Sequence, residues 1–312
     1  MICFERGKMW YTQNALCMFA FYEKRGGFAM EKRQLGKTGE MLSIIGFGGI
    51  ITMDEVQQDA NKFVDEAIDR GVNYFDVAPS YGNAESKLGP ALSGKRKSVF
   101  LACKTEMRTA AQAEAALHNS FKLLQTDWFD LYQLHGVTTV EEVETICGPG
   151  GALETFVKAR EQGLVRYLGF SAHSEEAAVA LLDRFSFDSV LFPVNWASHL
   201  GNGFGEQIIK KAEEKGAARL ALKAMAKSTW PEGAEKVYSK AWYEPIPEKE
   251  HAQLALRYTL SQPVTAAVPP GHIQLFRWAL DAADDFRPVT PEEIAILKYK
   301  SREIKPLFPL NQ

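Results

Sequence analysis

The chain has 312 residues, of which 46% are hydrophobic and 24% charged, and its formal net charge is −3. This length and composition fit one large globular domain, and the weakly acidic charge excludes the global basic field that a nucleic-acid partner requires. No apolar run approaches the roughly 20 residues needed to cross a bilayer, so we expect no membrane partner.

Residues 1–29 are predicted to be an extension outside the fold. Residues 15–22 form a short apolar run with basic residues before it and mixed charges after it. A secretory signal peptide is the alternative, but the run is at the short limit and no A-x-A cleavage pattern follows. We therefore predict a single domain over residues 30–312.

Short apolar runs alternate with helical patterns from residue 43 onward. The predicted strands are residues 43–50, 73–78, 98–105, 128–136, 165–173, 189–196, 218–226 and 264–271. The predicted helices are residues 61–71, 86–92, 110–126, 152–163, 175–185, 205–216, 248–262 and 274–283. Eight such units predict a parallel sheet with right-handed crossovers, closed into an α/β (β/α)8 TIM barrel. A doubly wound open sheet is the alternative, but no G-x-G-x-x-G motif follows any strand.

Two segments lie outside this repeat. Residues 227–247, after the seventh strand, carry Trp230, Tyr238, Trp242 and Tyr243. They are predicted to form a lid or specificity loop, with a loop held by its own aromatic side chains as the alternative. The tail from residue 291 predicts a helix followed by an extended end.

Four side chains able to carry chemistry lie at or near the ends of neighbouring strands. Asp76, Lys104 and His135 end the second, third and fourth predicted strands, and Tyr81 follows in the loop after the second. In a barrel the carboxyl ends of the strands share one rim, where active sites are built. Each residue alone also fits a structural role, but an acid, an amine, an imidazole and a phenol on one rim indicate an active site.

The motifs FDVAPSYGNAESKLG, FLACKTE, DLYQLHG and VRYLGFS resemble those of the aldo-keto reductases, and the resemblance covers nearly all of residues 30–312. The catalytic Asp, Tyr, Lys and His of that family match Asp76, Tyr81, Lys104 and His135. The resemblance implies reduction of a small-molecule carbonyl substrate with NADPH or NADH, in a barrel that uses no metal.

The tetrad has a physical interpretation. Asp76 is predicted to be the counter-ion of Lys104, and the Lys104 ammonium to lower the pKa of Tyr81 from about 10. Tyr81 would then give its proton to the carbonyl oxygen as hydride reaches the carbon. His135 would hydrogen-bond the same oxygen and orient the substrate.

The resemblance also implies cofactor contacts. Gly48 and Gly49 lie at the end of the first predicted strand, where the missing Cβ allows the backbone to approach a cofactor, although a tight turn is an equal explanation. Ser171 matches the family serine that holds the nicotinamide carboxamide, whereas Ala172 stands where the family usually has Asn. Asn195 lies where the family presents polar groups to the same ring.

The loops after the seventh and eighth strands depart from the family pattern. Lys223 stands where an aromatic residue commonly stacks on the nicotinamide, so contact with cofactor phosphate, contact with substrate, and a plain rim charge all stay open. Gly271 opens a helix whose N–H groups can meet the pyrophosphate. Arg277 can bind a 2′-phosphate, although Trp278 and Ala279 replace the family's Glu-Asn pair. NADP(H) rather than NAD(H) is expected mainly from the family.

His173 and Trp196 are predicted to line the substrate pocket. A metal role for His173 is disfavoured because no second ligand lies at i, i+4. The four cysteines are scattered without a CxxC pair, which argues against a zinc or iron–sulfur site and favours a reducing, cytoplasmic location. Two other functions stay open: a non-catalytic NADP(H)-binding regulatory subunit, and a metal-dependent hydrolase that uses Asp76 and His135.

Overall fold

The structure is a computed structural model, and it describes residues 30–308 of the chain. The predicted extension over residues 1–29 lies outside the described residues. The described chain opens with an antiparallel hairpin formed by β1 (Lys32–Gln34) and β2 (Met41–Ser43). Gly36 has a φ of +53° in the turn of this hairpin, a conformation that glycine adopts at low cost.

The centre of the fold is a sheet of eight parallel strands in sequential order. Seven of them precede a further antiparallel hairpin formed by β10 (Ala226–Thr229) and β11 (Tyr243–Pro245). The strands of the sheet are β3 (Phe47–Gly48), β4 (Tyr74–Asp76), β5 (Phe100–Thr105), β6 (Phe129–Val137), β7 (Val165–Ala172), β8 (Ser189–Pro193), β9 (Ala218–Leu222) and, after that hairpin, β12 (Ala266–Val268).

The two edges of this sheet meet. The Gly46 N–H donates to the Ala267 carbonyl and the Ala267 N–H donates to the Ile44 carbonyl, both at 2.9 Å. A parallel bridge between Ile45 and Ala267 accompanies these bonds. The predicted (β/α)8 barrel is therefore confirmed, and the open doubly wound sheet is excluded.

Helices surround the barrel and pack their apolar faces on the strands. They are α1 (Gln57–Asp69), α2 (Ala84–Ala91), α3 (Ala110–Leu124), α4 (Val140–Cys147), α5 (Ala152–Glu161), α6 (Glu175–Arg184), α7 (Trp196–Asn202), α8 (Glu206–Lys215), α9 (Lys249–Leu260), α10 (Ile273–Asp284) and α11 (Pro291–Ser301). One apolar core lies between the strands and this ring of helices. A smaller core fills the barrel interior and includes Leu35 and Leu42 of the first hairpin, which closes the end opposite the rim.

The structure differs from the predicted elements at a few places. The strand predicted over residues 43–50 is divided: Ser43 pairs in the first hairpin, β3 keeps only Phe47–Gly48, and a 3-10 turn follows over Gly49–Thr52. Strands predicted to residues 196 and 226 end at Pro193 and Leu222. Proline ends β8 because it has no N–H to donate, and Lys223 turns the chain after β9 with a φ of +62°.

Two short helices were missing from the prediction. Helix α4 starts with a capping box in which Thr139 and Glu142 satisfy each other's backbone N–H groups. The T-x-x-E pattern in the sequence is the signal that would have found it. Helix α7 is capped by Asn195, whose side-chain oxygen accepts from the Ala197 and Ser198 N–H groups.

Candidate active site

Asp76, Lys104 and His135 lie on three neighbouring parallel strands, β4, β5 and β6, and Tyr81 lies in the loop after β4. Because the strands are parallel and in register, their carboxyl ends open on one rim of the barrel. Asp76 and Lys104 are both 1% exposed, so the charges they carry are almost completely removed from water. Such charges are stable only when they are paired.

Asp76 collects three donors. The Lys104 ammonium forms a buried salt bridge with one carboxylate oxygen. The Tyr74 hydroxyl donates to the other oxygen at 3.1 Å, and the Gln133 amide donates to it at 3.0 Å. Each of these side chains lies on a barrel strand, so the carboxylate is held from three sides.

Tyr74 and Gln133 are site residues that were not predicted from the sequence. The signal was present, because residues two apart on a strand face the same side. Tyr74 precedes Asp76 by two positions and Gln133 precedes His135 by two, so both pairs face the barrel interior together. A polar residue at such a position in a buried strand needs a partner, and here Asp76 is that partner.

The Lys104 ammonium lies 3.5 Å from the Tyr81 hydroxyl oxygen, which brings the predicted acid–base pair together. Burial alone would lower the pKa of Lys104, but the nearby Asp76 and Tyr81 outweigh it, so the pKa of Lys104 is raised. The ammonium is therefore present throughout the physiological range.

The predicted lowering of the Tyr81 pKa is wrong in direction. Burial is the largest influence and raises the pKa of Tyr81, Lys104 lowers it, and Asp76 raises it again, so the net shift is upward. The carboxylate that neutralises Lys104 also weakens the field that Lys104 exerts on the phenol. Tyr81 is accordingly a phenol that keeps its proton.

His135 faces Tyr81 edge-on, with ring centroids 5.8 Å apart. Its Nδ1 lies 3.3 Å from the Ser80 hydroxyl oxygen and 3.5 Å from a Glu106 carboxylate oxygen. Burial and then the positive charge of Lys104 lower the pKa of His135 to about 2. The imidazole is therefore neutral throughout the physiological pH range.

Ser171 lies at the end of β7 beside this group. Its hydroxyl oxygen accepts from the Gly136 N–H at 2.8 Å, which leaves the hydroxyl hydrogen free to donate. Gly48 ends β3 and Gly49 follows it, and a Cβ at these positions would meet Val268 at 3.2 Å and Val77 at 2.8 Å. The close approach of Val77 already explains the need for glycine at residue 49, and Gly48 is tightly packed against Val268.

Asn195 and Trp196 do not face the pocket. The Asn195 amide donates to the Lys223 and Ala226 carbonyls at 3.0 and 2.8 Å, and its oxygen accepts from the first N–H groups of α7. Every polar atom of that side chain is therefore engaged within the fold, contrary to its predicted role toward a nicotinamide.

Trp196 is completely buried, and its indole N–H donates to the Ala226 carbonyl at 3.0 Å. Its ring packs on His251 with centroids 5.0 Å apart. The prediction that Trp196 lines the substrate pocket is wrong, because α7 begins at this residue and directs the indole inward.

Lys223 and His173 meet at the rim. The Lys223 amine lies 2.9 Å from Nε2 of His173, which directly follows β7. The amine also lies over the rings of Trp242 and Phe308, at 4.7 and 5.2 Å from their centroids. Burial and then Lys104 lower the pKa of Lys223 to about 7, and burial and then Lys223 lower the pKa of His173 to about 3.

Gly271 and Arg277 lie after β12. Gly271 precedes α10, and a Cβ there would meet Ile50 at 2.6 Å. The N-terminus of α10 is capped by His272, whose Nδ1 accepts from the Gln274 N–H at 3.2 Å. Arg277 forms a two-pronged salt bridge with Glu66 of α1, at 2.9 and 2.8 Å, so the guanidinium predicted to meet a 2′-phosphate already faces a carboxylate.

The insertion over residues 227–247 contains the hairpin of β10 and β11 and lies across the rim. Lys240 joins it to the turn after β3, because its amine donates to the Ile51 carbonyl at 2.8 Å and to Glu55 at 2.6 Å. The Trp230 indole N–H donates to the Ala241 carbonyl at 2.8 Å, so this aromatic side chain also links the two ends of the insertion to each other.

Within residues 30–308, no group of three or more His, Cys, Asp or Glu side chains is placed to hold a metal ion. No helix in the same range combines the length and the apolar character needed to cross a bilayer.

Residues 45–239 match the family model described as "Aldo/keto reductase family". Over 306 residues the chain is 26% identical to an uncharacterized oxidoreductase, YqkF, of Bacillus subtilis, covering 88% of this chain and 97% of that protein. It is 24% identical to the prostaglandin-E(2) 9-reductase of Oryctolagus cuniculus, over 79% and 87% of the two chains. The holo form of aldo-keto reductase AKR11C1 from Bacillus halodurans superposes with a TM-score of 0.69 at 25% identity, over 87% and 96% of the two chains.

Proposed function

Because the chain belongs to the aldo/keto reductase family, a family of oxidoreductases, we propose that it reduces an aldehyde or ketone to an alcohol with NAD(P)H. One observation carries the proposal: the buried Lys104 ammonium contacts both Asp76 and the Tyr81 hydroxyl at the rim of the barrel. A phenol beside a fixed cation is the arrangement that proton transfer to a carbonyl oxygen requires.

Tyr81 is the proposed proton donor. Its raised pKa keeps the hydroxyl protonated at neutral pH, so the proton is available when negative charge develops on the carbonyl oxygen. Lys104, held by Asp76, stabilises the phenolate that results. In the oxidative direction the same oxygen takes the proton from the alcohol.

His135 is proposed to position the carbonyl. As a neutral imidazole it is a directional hydrogen-bonding group rather than a charge. Its ring lies edge-on to Tyr81 with centroids 5.8 Å apart, which is close enough for one carbonyl oxygen to meet both groups. This restricts the substrate to orientations in which proton transfer is short.

Residues at the end of β7 and after β12 are suited to bind parts of a dinucleotide cofactor. A bound reduced nicotinamide supplies the hydride that the protein itself lacks. Ser171 has a free hydroxyl hydrogen to donate to a carboxamide oxygen, and the backbone N–H groups at the start of α10 suit a pyrophosphate. NADP(H) rather than NAD(H) is proposed from the family resemblance, with Arg277 exchanging its Glu66 partner for the 2′-phosphate. The location is proposed to be cytoplasmic.

The decisive variant is Tyr81→Phe, which removes one oxygen from the reaction site. We expect turnover of a carbonyl panel, assayed with NADPH and with NADH, to fall roughly 100- to 10,000-fold, the range that a positioned acid contributes. Binding of the reduced nucleotide, measured by fluorescence, should stay within about twofold, because Tyr81 is proposed to act on the carbonyl.

Tyr299→Phe is the control, since Tyr299 lies on α11 with 64% of its surface exposed. It should leave both measurements unchanged. Normal turnover in Tyr81→Phe would refute the proposal. Tight nucleotide binding by the wild-type protein with no turnover of any carbonyl would instead favour the regulatory subunit.

A further inference from the structure

Lys223 is a buried amine without an acidic partner. Only 5% of the residue is exposed, although an ammonium ion normally lies in water or beside a carboxylate. Within residues 30–308 no carboxylate forms a salt bridge with it, and its polar side-chain neighbour is the His173 imidazole at 2.9 Å. The Trp242 and Phe308 rings, which attract a cation weakly, cover it from the hairpin and the C-terminal segment.

The fold holds this amine in place. Lys223 has a φ of +62°, which is uncommon for a residue with a Cβ, so the surrounding structure maintains the conformation. Its carbonyl accepts from the Asn195 amide and from the Ala226 N–H, both at 3.0 Å. The side chain is thus directed into the rim by specific contacts on both sides of the turn.

Lys223 lies near the proposed catalytic group at the same rim of the barrel. Lys104 is close enough to lower the pKa of Lys223, and Lys223 contributes to the lowered pKa of His135. The charge of Lys104 is already matched by Asp76, and both histidines are neutral. The remaining carboxylate at this rim, Glu106, lies beside His135, so no described carboxylate contacts protonated Lys223.

We propose that Lys223 binds a carboxylate carried by the carbonyl substrate, so that this enzyme prefers aldehydes or ketones that are also carboxylic acids. This inference rests on the proposed function. A single ammonium matches a monoanion, and the Trp242 ring, with the residue 56% exposed, provides an apolar wall beside it for the rest of the substrate. Binding would supply the partner that the buried amine lacks.

The preference for acids should depend on pH. The groups that face Lys223 are Lys104 on β5, His135 on β6 and His173 after β7, none of them acidic. With a pKa lowered to about 7, Lys223 is charged below that pH and neutral above it. Carboxylic acids are ionised above about pH 5. The preference should therefore be greatest between about pH 5 and pH 7 and decline at higher pH.

The experiment compares 3- and 4-carboxybenzaldehyde with their uncharged methyl esters at saturating NADPH. For Lys223→Met we expect kcat/KM to fall about 10- to 100-fold for an acid, chiefly through KM, and to change less than about twofold for its ester. Methionine keeps the unbranched apolar stem at the same backbone conformation.

Lys223→Arg keeps the charge, so it should retain the preference for the acid and lose the decline above pH 7, because a guanidinium does not deprotonate there. Lys158→Met is the control: it removes the same charge from an exposed pair with Glu114 on the outer surface and should behave as wild type.

Each result has one meaning. Equal losses for acid and ester in Lys223→Met would overturn the inference. An increase in the KM for NADPH alone, measured at a fixed high aldehyde concentration, would also overturn it and assign Lys223 to the cofactor. In both cases the proposed reductase would stand. Turnover of esters and acids alike with no preference in the wild type would also overturn it. If neither is reduced and Tyr81→Phe changes nothing, the reductase proposal itself fails.

Discussion

At the scale of the residue, the site is built on one carboxylate. Asp76 is 1% exposed and receives Lys104, Tyr74 and Gln133, so its charge is compensated by a cation and two hydrogen bonds. These contacts replace the water that burial removes and hold the Lys104 amine at a fixed position. The cation that faces Tyr81 is therefore rigid as well as permanent, and a rigid charge stabilises a developing phenolate without reorganisation.

This chemistry leads to a pH prediction for an uncharged carbonyl substrate. His135, with a pKa of about 2, does not titrate above pH 5, and the raised pKa of Tyr81 keeps the phenol protonated to high pH. Reduction needs the protonated phenol, so kcat/KM should be constant from about pH 6 to pH 9 and fall only above the usual tyrosine value of about 10. Steady-state rates with saturating NADPH and a neutral ketone measure it.

A decline in kcat/KM that begins near pH 8 would contradict this prediction. It would mean that the field of Lys104 outweighs burial at Tyr81, as the sequence first suggested. His135→Asn provides a check, since it removes the imidazole without moving a titration into the measured range.

At the scale of the element, the turn after β9 depends on a side chain from the start of α7. Asn195 caps α7 with its side-chain oxygen, and its amide nitrogen donates hydrogen bonds to the Lys223 and Ala226 carbonyls. One amide thereby fixes a helix start and a rim turn that are distant in the sequence. The backbone conformation of Lys223, and with it the position of the amine, follows from this contact.

Asn195→Asp tests the role of the amide donors. Aspartate keeps the capping oxygen but places a second oxygen against the two carbonyls, so we expect the free energy of unfolding to fall by about 1–3 kcal/mol. Urea unfolding monitored by circular dichroism measures it.

Ser174→Asp is the matched control, because Ser174 caps α6 by accepting from the Ala177 N–H and aspartate caps equally well. Its free energy of unfolding should change by less than about 0.5 kcal/mol. Equal losses in the two variants would show that Asn195 acts only as a cap.

At the scale of the whole molecule, the barrel separates stability from chemistry. The first hairpin closes one end, where Leu35 and Leu42 pack against interior residues of the strands, and the proposed catalytic group lies at the other end. The geometry of the rim and the filling of the interior are thus separate requirements in this architecture.

Leu35→Ala should demonstrate the separation. It leaves a cavity beneath the barrel at a completely buried position, and such cavities cost about 2–5 kcal/mol in the free energy of unfolding. At a temperature where the variant is still folded, kcat for a neutral carbonyl should stay within about twofold of wild type. A large loss of kcat with unchanged stability would contradict it.

The sequence by itself determined the order of strands and helices and the placement of Asp76, Tyr81, Lys104 and His135 at one rim. These follow from local periodicity and from parallel strands, which bring successive carboxyl ends together whatever the rest of the chain does. It also carried signals that were overlooked, such as Tyr74 and Gln133 two positions from residues already identified.

The tertiary structure alone decided how those groups behave. The upward shift of the Tyr81 pKa, the burial of Trp196, the pairing of Arg277 with Glu66 and the isolation of Lys223 from any described carboxylate depend on contacts between distant parts of the chain. Desolvation and charge pairing act through space, and their sign depends on which side chains surround a group. No pattern along the chain records that environment.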